Sequence, residues 1–241
     1  MIRLILVCLW IFMMFVPIGL PVFLFLWIIG LISPALRDRL AMRYTVLITR
    51  GITFLSGEKI TAIGTENIPK DEAVLFISNH RSFFDVFTAY RYFHGCCGCV
   101  AKIEWKKIPL LNVLMVFLHC IFLDRSSTRE GLKATMRVTE ELRSGRNFWI
   151  CPEGTRSHGD TLLPFHEGSF RGAFQTGCKI VPITMTHTDD LFEKHLPWVR
   201  PAAVTIDFGK PIPTEGLNKS EQKALIASIR EGIQRRYDEL K

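Results

Sequence analysis

A histidine and an aspartate five residues apart follow a run of strand-forming residues. The stretch VLFISNHRSFFDVF is apolar up to position 77 and then continues with His80 and Asp85. A carboxylate beside an imidazole fixes the ring tautomer and stabilises the imidazolium that forms on proton transfer, which is the arrangement of a general base. Because no Ser or Cys stands in a G-x-S-x-G nucleophile elbow, we expect the group that His80 activates to belong to the substrate.

Charged side chains also follow two further predicted strands at the point where each strand ends. Arg125 follows the strand in CIFLDRSS, and Glu153, Gly154, Thr155 and Arg156 follow the strand in FWICPEGTRS. Open α/β sheets bind ligands outside the carboxyl ends of their strands. Guanidinium groups pair with phosphate through two hydrogen bonds, and helix N-termini add amide donors. Two arginines beside a general base therefore indicate a phosphorylated substrate, and a membrane context makes that substrate a lipid.

The elements that must position these residues alternate along the chain. Apolar periodicity and turn residues predict strands at 59–62, 73–78, 98–102, 120–124, 146–151, 180–186 and 204–208. The predicted helices are 36–55, 83–93, 104–117, 128–144, 168–175 and 219–238. This order predicts one α/β domain over 58–241, with a mixed, largely parallel sheet flanked by helices.

Residues 1–57 are predicted to form an N-terminal membrane-associated helical segment. No charged residue occurs from Leu4 to Ile32, a run longer than the about 20 apolar residues that a helix needs to cross a bilayer. Pro17, Gly19 and Pro21 interrupt this run and would kink or break a helix. Two alternatives therefore stay open, a two-helix hairpin that dips into one leaflet and a single kinked transmembrane anchor, followed in either case by an amphipathic helix.

Charge and cysteine content indicate a membrane protein that faces a cytosol. The net charge is +7, and residues 1–50 carry five arginines against the acid Asp38, which favours contact with anionic lipid headgroups. Beyond that point basic residues alternate with acids, so we expect no nucleic-acid partner. The odd count of seven cysteines favours reduced thiols. The CCGC cluster at 96–99 lacks a second spaced Cys/His pair, so we interpret it as packing. We expect an active site on the cytoplasmic face of a membrane.

Four blocks of the sequence together resemble a known family. NHRSFFD (79–85), IFLDR (121–125), PEGTRS (152–157) and IVPI (180–183) are similar in order and spacing to the four blocks of the glycerolipid acyltransferases. Within that family the resemblance is to the 1-acylglycerol-3-phosphate (lysophosphatidic acid) acyltransferases. AKIEWKKIPLLN (101–112), between the first two blocks, and GKPI (209–212), after the fourth, also resemble family signatures.

This resemblance implies a reaction and a role for each matched residue. His80, oriented by Asp85, would take the proton from the sn-2 hydroxyl of lysophosphatidic acid, which then attacks an acyl thioester of coenzyme A or acyl carrier protein to give phosphatidic acid. The family's substrate-binding positions are matched by Lys102, Arg125, Glu153, Gly154, Thr155, Arg156 and Pro182. Because a thioester is already activated, neither a metal nor a bound cofactor is expected.

Departures from the family pattern leave the acceptor open. Cys120 and Cys151 replace a usual Gly and Phe on predicted strands, and PFHEGSF carries His166 and Glu167 where lysines are usual. Glycerol-3-phosphate or another lysolipid is the alternative acceptor. Two other classes of function are the alternatives: a metal-dependent hydrolase with His80 and Asp85 as ligands, and a non-catalytic lipid-binding protein.

Overall fold

The computed structural model describes residues 1–124 and 127–241, which form three N-terminal helices followed by a sheet with helices on both faces. The strands are β1 Lys59–Ile63, β2 Leu75–Ser78, β3 Cys97–Lys102, β4 Ile121–Leu123, β5 Asn147–Ile150, β6 Ile180–Thr186 and β7 Ala203–Phe208. The helices are α1 Ile2–Phe15, α2 Gly19–Ile32, α3 Pro34–Ser56, α4 Phe84–Ala89, α5 Leu111–Phe117, α6 Thr128–Arg143, α7 Arg171–Thr176 and α8 Lys219–Leu240.

The sheet places the ends of five parallel strands at one edge. Its order is β1-β7-β6-β2-β5-β3-β4, and the strands from β6 to β4 run parallel. Strand β7 is antiparallel to β6, and β1 is parallel to β7. Ile77 of β2 lies between Ile150 of β5 and Pro182 of β6. The predicted mixed, largely parallel α/β sheet flanked by helices is therefore confirmed.

Apolar side chains on both faces of the sheet hold the central strands in place. On one face Phe76 packs with Phe93 and Trp149, and on the other Leu75 packs in a second cluster that includes Phe148. Because helices cover both faces, β2 is a continuous apolar run rather than an alternating one. The first polar residues after this run therefore emerge at the edge of the sheet.

The three N-terminal helices pack on one another before the chain enters the sheet. Helix α3 runs back along α1, and two hydrogen bonds join these helices. The Trp10 indole donates to the Ile48 carbonyl at 3.0 Å, and Arg3 donates to the Leu55 carbonyl at 3.1 Å. Large apolar side chains such as Trp27 and Ile32 stay 56% and 80% exposed. Within the described residues no single helix is long and apolar enough to cross a bilayer, whereas α1 and α2, joined by a 40° bend, meet the length and composition together. The division at residue 57 and the depth of this segment in a membrane stay predictions.

Candidate active site

His80 and Asp85 form a hydrogen-bonded pair where β2 ends and α4 begins. His80 Nδ1 lies 2.7 Å from Asp85 Oδ2, which also accepts the backbone N–H groups of Arg81 at 2.8 Å and Ser82 at 3.0 Å. Asp85 is fully buried, while the His80 side chain is 21% exposed. Since a carboxylate only accepts hydrogen bonds, Nδ1 carries the proton and Nε2 keeps a free lone pair. The pair therefore has the geometry of an oriented general base.

Glu153 holds the backbone of His80 from the neighbouring strand end. Its Oε1 accepts the His80 N–H at 2.9 Å, and its Oε2 accepts the Leu163 N–H at 2.8 Å. Burial raises the pKa of the Glu153 carboxyl, and these two amide bonds oppose that rise. Ser157 closes the same contact, because its N–H donates to the His80 carbonyl at 2.8 Å. Glu153 therefore ties the backbone of His80 to the loop that follows β5, and its predicted substrate-binding role stays a prediction.

Gly154 and Thr155 form the turn between this carboxylate and Arg156. Gly154 has φ +70°, and a Cβ there would lie 3.1 Å from the ring of His166. Glycine suits this site because it adopts the left-handed region without a steric penalty. Thr155 is exposed.

Arg156 lies against Phe83, in the segment between His80 and Asp85, and is held by a carboxylate that follows β6. Its Nη1 is 2.8 Å from Glu193 Oε1, and its guanidinium lies 4.2 Å above the centre of the Phe83 ring. Glu193 also accepts the Ser82 hydroxyl at 2.6 Å and the Phe83 N–H at 2.9 Å. Arg156 is partly exposed and so keeps donors for a ligand.

A second arginine–carboxylate pair, between Arg81 and Asp189, braces the same edge. Arg81 Nη2 is 2.9 Å from Asp189 Oδ2, its Nη1 donates to the Gly159 carbonyl at 2.6 Å, and its guanidinium lies 5.0 Å above the Tyr237 ring. Burial pushes the pKa of Asp189 upward, but Arg81 overcomes this and lowers it. The sequence analysis missed Asp189 and Glu193. Asp189 lies three residues after β6 and Glu193 lies in the next 3₁₀ turn, so a fourth strand end followed by charged residues was the available signal.

Among the described residues, Lys102 and Pro182 lie outside this cluster. Lys102 ends β3, which is two strands from β2, and its half-exposed side chain pairs with Glu104 at 2.9 Å. Pro182 lies within β6, where its carbonyl accepts the Gly209 N–H at 2.8 Å. Arg125 lies outside the residues that the structure describes. The substrate-binding roles of these three residues stay predictions.

A metal bound by His80 and Asp85 would need further ligands. In the described part of the chain, the candidate three-ligand group of His, Cys and carboxylate atoms is Asp38, Cys96 and His119, at the opposite edge of the sheet. The arrangement at His80 therefore fits a base better than a metal centre.

An α/β sheet covered by helices on both faces, with a hydrogen-bonded histidine at the carboxyl ends of its strands, is typical of α/β enzymes that use acid–base catalysis. Comparison with known proteins narrows this class. The model of the Acyltransferase family matches residues 59–186. The chain therefore belongs to the acyltransferase family.

Individual relatives agree with this assignment. The 1-acyl-sn-glycerol-3-phosphate acyltransferase of Borreliella burgdorferi is 31% identical over 188 residues, which cover 78% of this chain and 75% of that protein. The human 1-acyl-sn-glycerol-3-phosphate acyltransferase alpha is 28% identical over 213 residues, 87% of this chain and 75% of that one. The crystal structure of the 1-acyl-sn-glycerophosphate acyltransferase of Thermotoga maritima has the same fold, with a TM-score of 0.80 at 22% identity over 99% of this chain and 97% of that one. The resemblance read from the sequence and the prediction of an enzyme are confirmed.

Proposed function

We propose that this enzyme transfers a fatty acyl group from an acyl thioester to the sn-2 hydroxyl of lysophosphatidic acid, forming phosphatidic acid. The observation that carries the proposal is the His80–Asp85 pair beside Arg156, a general base next to a cation that suits a phosphate. The names of the two sequence relatives, both 1-acyl-sn-glycerol-3-phosphate acyltransferases, support this acceptor.

The proposed reaction uses His80 first as a base and then as an acid. Its Nε2 takes the proton from the acceptor hydroxyl while that oxygen attacks the thioester carbonyl. The tetrahedral intermediate then collapses, the C–S bond breaks, and the thiolate leaves with the proton from the imidazolium. The negative charge of Asp85, 2.7 Å from Nδ1, stabilises the imidazolium between these two steps. The donor is an acyl-CoA or an acyl carrier protein thioester, and the chemistry requires neither a metal nor a bound cofactor.

Arg156 is a partly exposed cation that lies against Phe83, in the segment between His80 and Asp85. Its stacking on Phe83 fixes the guanidinium plane, and one of its nitrogens is already bonded to Glu193. Guanidinium groups carry five N–H donors, so Arg156 retains donors for phosphate oxygens. Lys102 and Arg125, from the ends of β3 and β4, are proposed to complete the site as the acceptor binds.

We further propose that the enzyme works on a membrane, with its active site on the cytoplasmic face. The bent α1–α2 pair exposes many large apolar side chains, which suits burial in lipid rather than contact with water. All seven cysteines are free thiols, as a reducing compartment favours. The acceptor is itself a lipid and would reach the site from the bilayer.

A matched panel of acceptors and donors tests this proposal. The purified full-length protein in detergent receives labelled palmitoyl-CoA or palmitoyl carrier protein together with lysophosphatidic acid, glycerol-3-phosphate or lysophosphatidylcholine. We expect product from lysophosphatidic acid with at least one donor. Preference for glycerol-3-phosphate would overturn the acceptor and favour the alternative acyltransferase reaction. Transfer to lysophosphatidylcholine, whose phosphate is a diester, at an equal rate would remove the argument for a phosphomonoester site at Arg156.

A further inference from the structure

Three side chains that bind transition metals converge at the edge of the sheet opposite His80. Asp38 comes from α3, Cys96 immediately precedes β3, and His119 precedes β4. One potential ligand atom from each lies within 4.8 Å of the others, and Asp38 Oδ2 is 2.9 Å from His119 Nε2. A tetrahedral ion bound at about 2.0–2.3 Å holds its ligand atoms roughly 3.3–3.8 Å apart. Small side-chain movements would therefore bring the three atoms onto one ion.

Neighbouring residues support two of these ligands from behind. Asp38 Oδ1 accepts from the Arg37 guanidinium at 2.6 Å, which leaves Oδ2 directed at His119. On the other side of the ring, His119 Nδ1 lies 3.3 Å from Glu141, and Glu141 is in turn paired with Arg146. Histidines that bind metals through one nitrogen usually donate the other N–H to a carboxylate, which fixes the tautomer and the ring orientation. Glu141 occupies that position.

The backbone conformation and the burial of the cluster also suit metal binding. His119 has φ +60°, a left-handed conformation that non-glycine residues rarely adopt and that turns its ring between the two carboxylates. Asp38 is 6% exposed, whereas the His119 side chain is 19% exposed. The ion-binding atoms are thus shielded, while one side stays open for a metal and a water molecule.

The donor set selects the chemical class of the ion. Magnesium and calcium prefer oxygen ligands, whereas one thiolate, one imidazole and one carboxylate suit Zn²⁺ and similar divalent transition metals. We propose that Asp38, Cys96 and His119 bind a zinc-type ion, with a water molecule as the fourth ligand. The site joins α3 to the starts of β3 and β4, at the edge of the sheet opposite His80.

Metal binding at this site must release protons. The Cys96 thiol loses its proton to become a thiolate, and His119 binds through a deprotonated Nε2 while its Nδ1–H continues to face Glu141. Asp38 exchanges its hydrogen bond to His119 for a bond to the ion. The thiolate and the carboxylate then balance the two charges of the metal.

Cobalt absorption tests the site directly, because Co²⁺ bound to a thiolate gives a sulfur-to-metal charge-transfer band. The full-length protein in detergent is titrated with Co²⁺ as wild type, as Cys96→Ser and as Cys178→Ser, a matched loss of a distant thiol. We expect one equivalent and a charge-transfer band in wild type and Cys178→Ser, with the band lost in Cys96→Ser. Glu141→Gln should keep the band but weaken binding about 10- to 100-fold. Zinc should displace the cobalt and raise the temperature of unfolding.

Two results would overturn the proposal. The first is a wild-type protein that shows no stoichiometric charge-transfer band. The second is a folded Cys96→Ser variant whose band matches wild type, which would assign the metal to another thiol. Should Cys96→Ser fail to fold, unchanged cobalt affinity in Glu141→Gln would contradict the arrangement instead. Each readout is independent of acyl transfer, so the outcome does not depend on the proposed reaction.

Discussion

Replacing Asp85 with asparagine isolates the charge of this residue from its hydrogen bonds. Asp85 Oδ2 accepts three hydrogen bonds, whereas Oδ1 is buried with no hydrogen-bond partner among the described residues. An amide oxygen at the Oδ2 position would keep all three bonds and leave the NH₂ group unpaired at the Oδ1 position. The reverse orientation would set NH₂ against the N–H groups of Arg81 and Ser82, leaving two backbone donors unpaired at about 1–3 kcal/mol each. We therefore expect Asp85→Asn to keep the tautomer of His80.

The remaining effect of Asp85→Asn on kcat is electrostatic, and an upper limit for it follows from the charge separation. Two unit charges about 4 Å apart interact by about 4 kcal/mol at an effective dielectric constant of about 20. Because about 1.36 kcal/mol corresponds to a tenfold change in rate, loss of the Asp85 charge should lower kcat by at most about 10³-fold. We expect a decrease of about 10²- to 10³-fold, which is smaller than a tautomer reversal would produce.

The assay is steady-state acyl transfer to lysophosphatidic acid, with Asp160→Asn as the matched control, since Asp160 is exposed. KM should change little, because Asp85 is buried behind His80 and does not face the acceptor. A folded Asp85→Asn enzyme within about tenfold of wild-type kcat would refute the role of the charge. A decrease far beyond 10³-fold would instead indicate that the tautomer had reversed and that the predicted amide orientation is wrong.

Two further substitutions test the phosphate site and a buried carboxyl. Arg156→Ala should raise KM for lysophosphatidic acid about 10- to 100-fold, since a hydrogen bond to a charged group contributes about 1.5–3 kcal/mol. The control Arg171→Ala, at an exposed arginine, should leave KM unchanged. Equal KM values for Arg156→Ala and wild type would remove Arg156 from the site. Burial raises the pKa of the Glu58 carboxyl from 4.5 to about 7, so the fold favours its protonated form. Its stabilising contribution is complete below pH 4.5 and is lost as pH rises through about 7, a change of up to about 3 kcal/mol. The unfolding temperature of wild type should therefore fall relative to Glu58→Gln over this range, by about 2–4 °C for each kcal/mol, and a constant difference would contradict the raised pKa. Glu72→Gln, at an exposed ion pair, should show no such trend.

Strand positions were predictable from the sequence because the sheet core is apolar in short runs bounded by polar turns. Helix boundaries were less predictable from the sequence. The predicted helix at 104–117 is a 3₁₀ turn over Ile103–Lys107 followed by α5 at Leu111–Phe117. Pro109 lacks an N–H and the following Leu110 has φ +66°, so one continuous helix cannot form there. The proline is visible in the sequence, whereas the left-handed conformation of Leu110 is not.

The candidate site was predictable only where its residues follow strands in the sequence. His80, Asp85, Glu153 and Arg156 could be grouped, because parallel strands end at one edge. The pairing of Arg156 with Glu193 could not be predicted, since it depends on how the turn after β6 folds back over α4. The same limit applies to the CCGC cluster, whose sequence alone favours packing. Cys96 meets Asp38 and His119 only through the packing of α3 against the sheet, so no local spacing revealed the group.

The most direct test of the central claim is the rate of acyl transfer to lysophosphatidic acid by His80→Ala, compared with wild type and with His94→Ala, an exposed histidine outside the described site. Loss of one general base should lower kcat about 10²- to 10⁴-fold, while lysophosphatidic acid still binds and His94→Ala retains wild-type activity. A folded His80→Ala enzyme that turns over at the wild-type rate would contradict the account, because His80 would then hold the strand end without taking part in the chemistry.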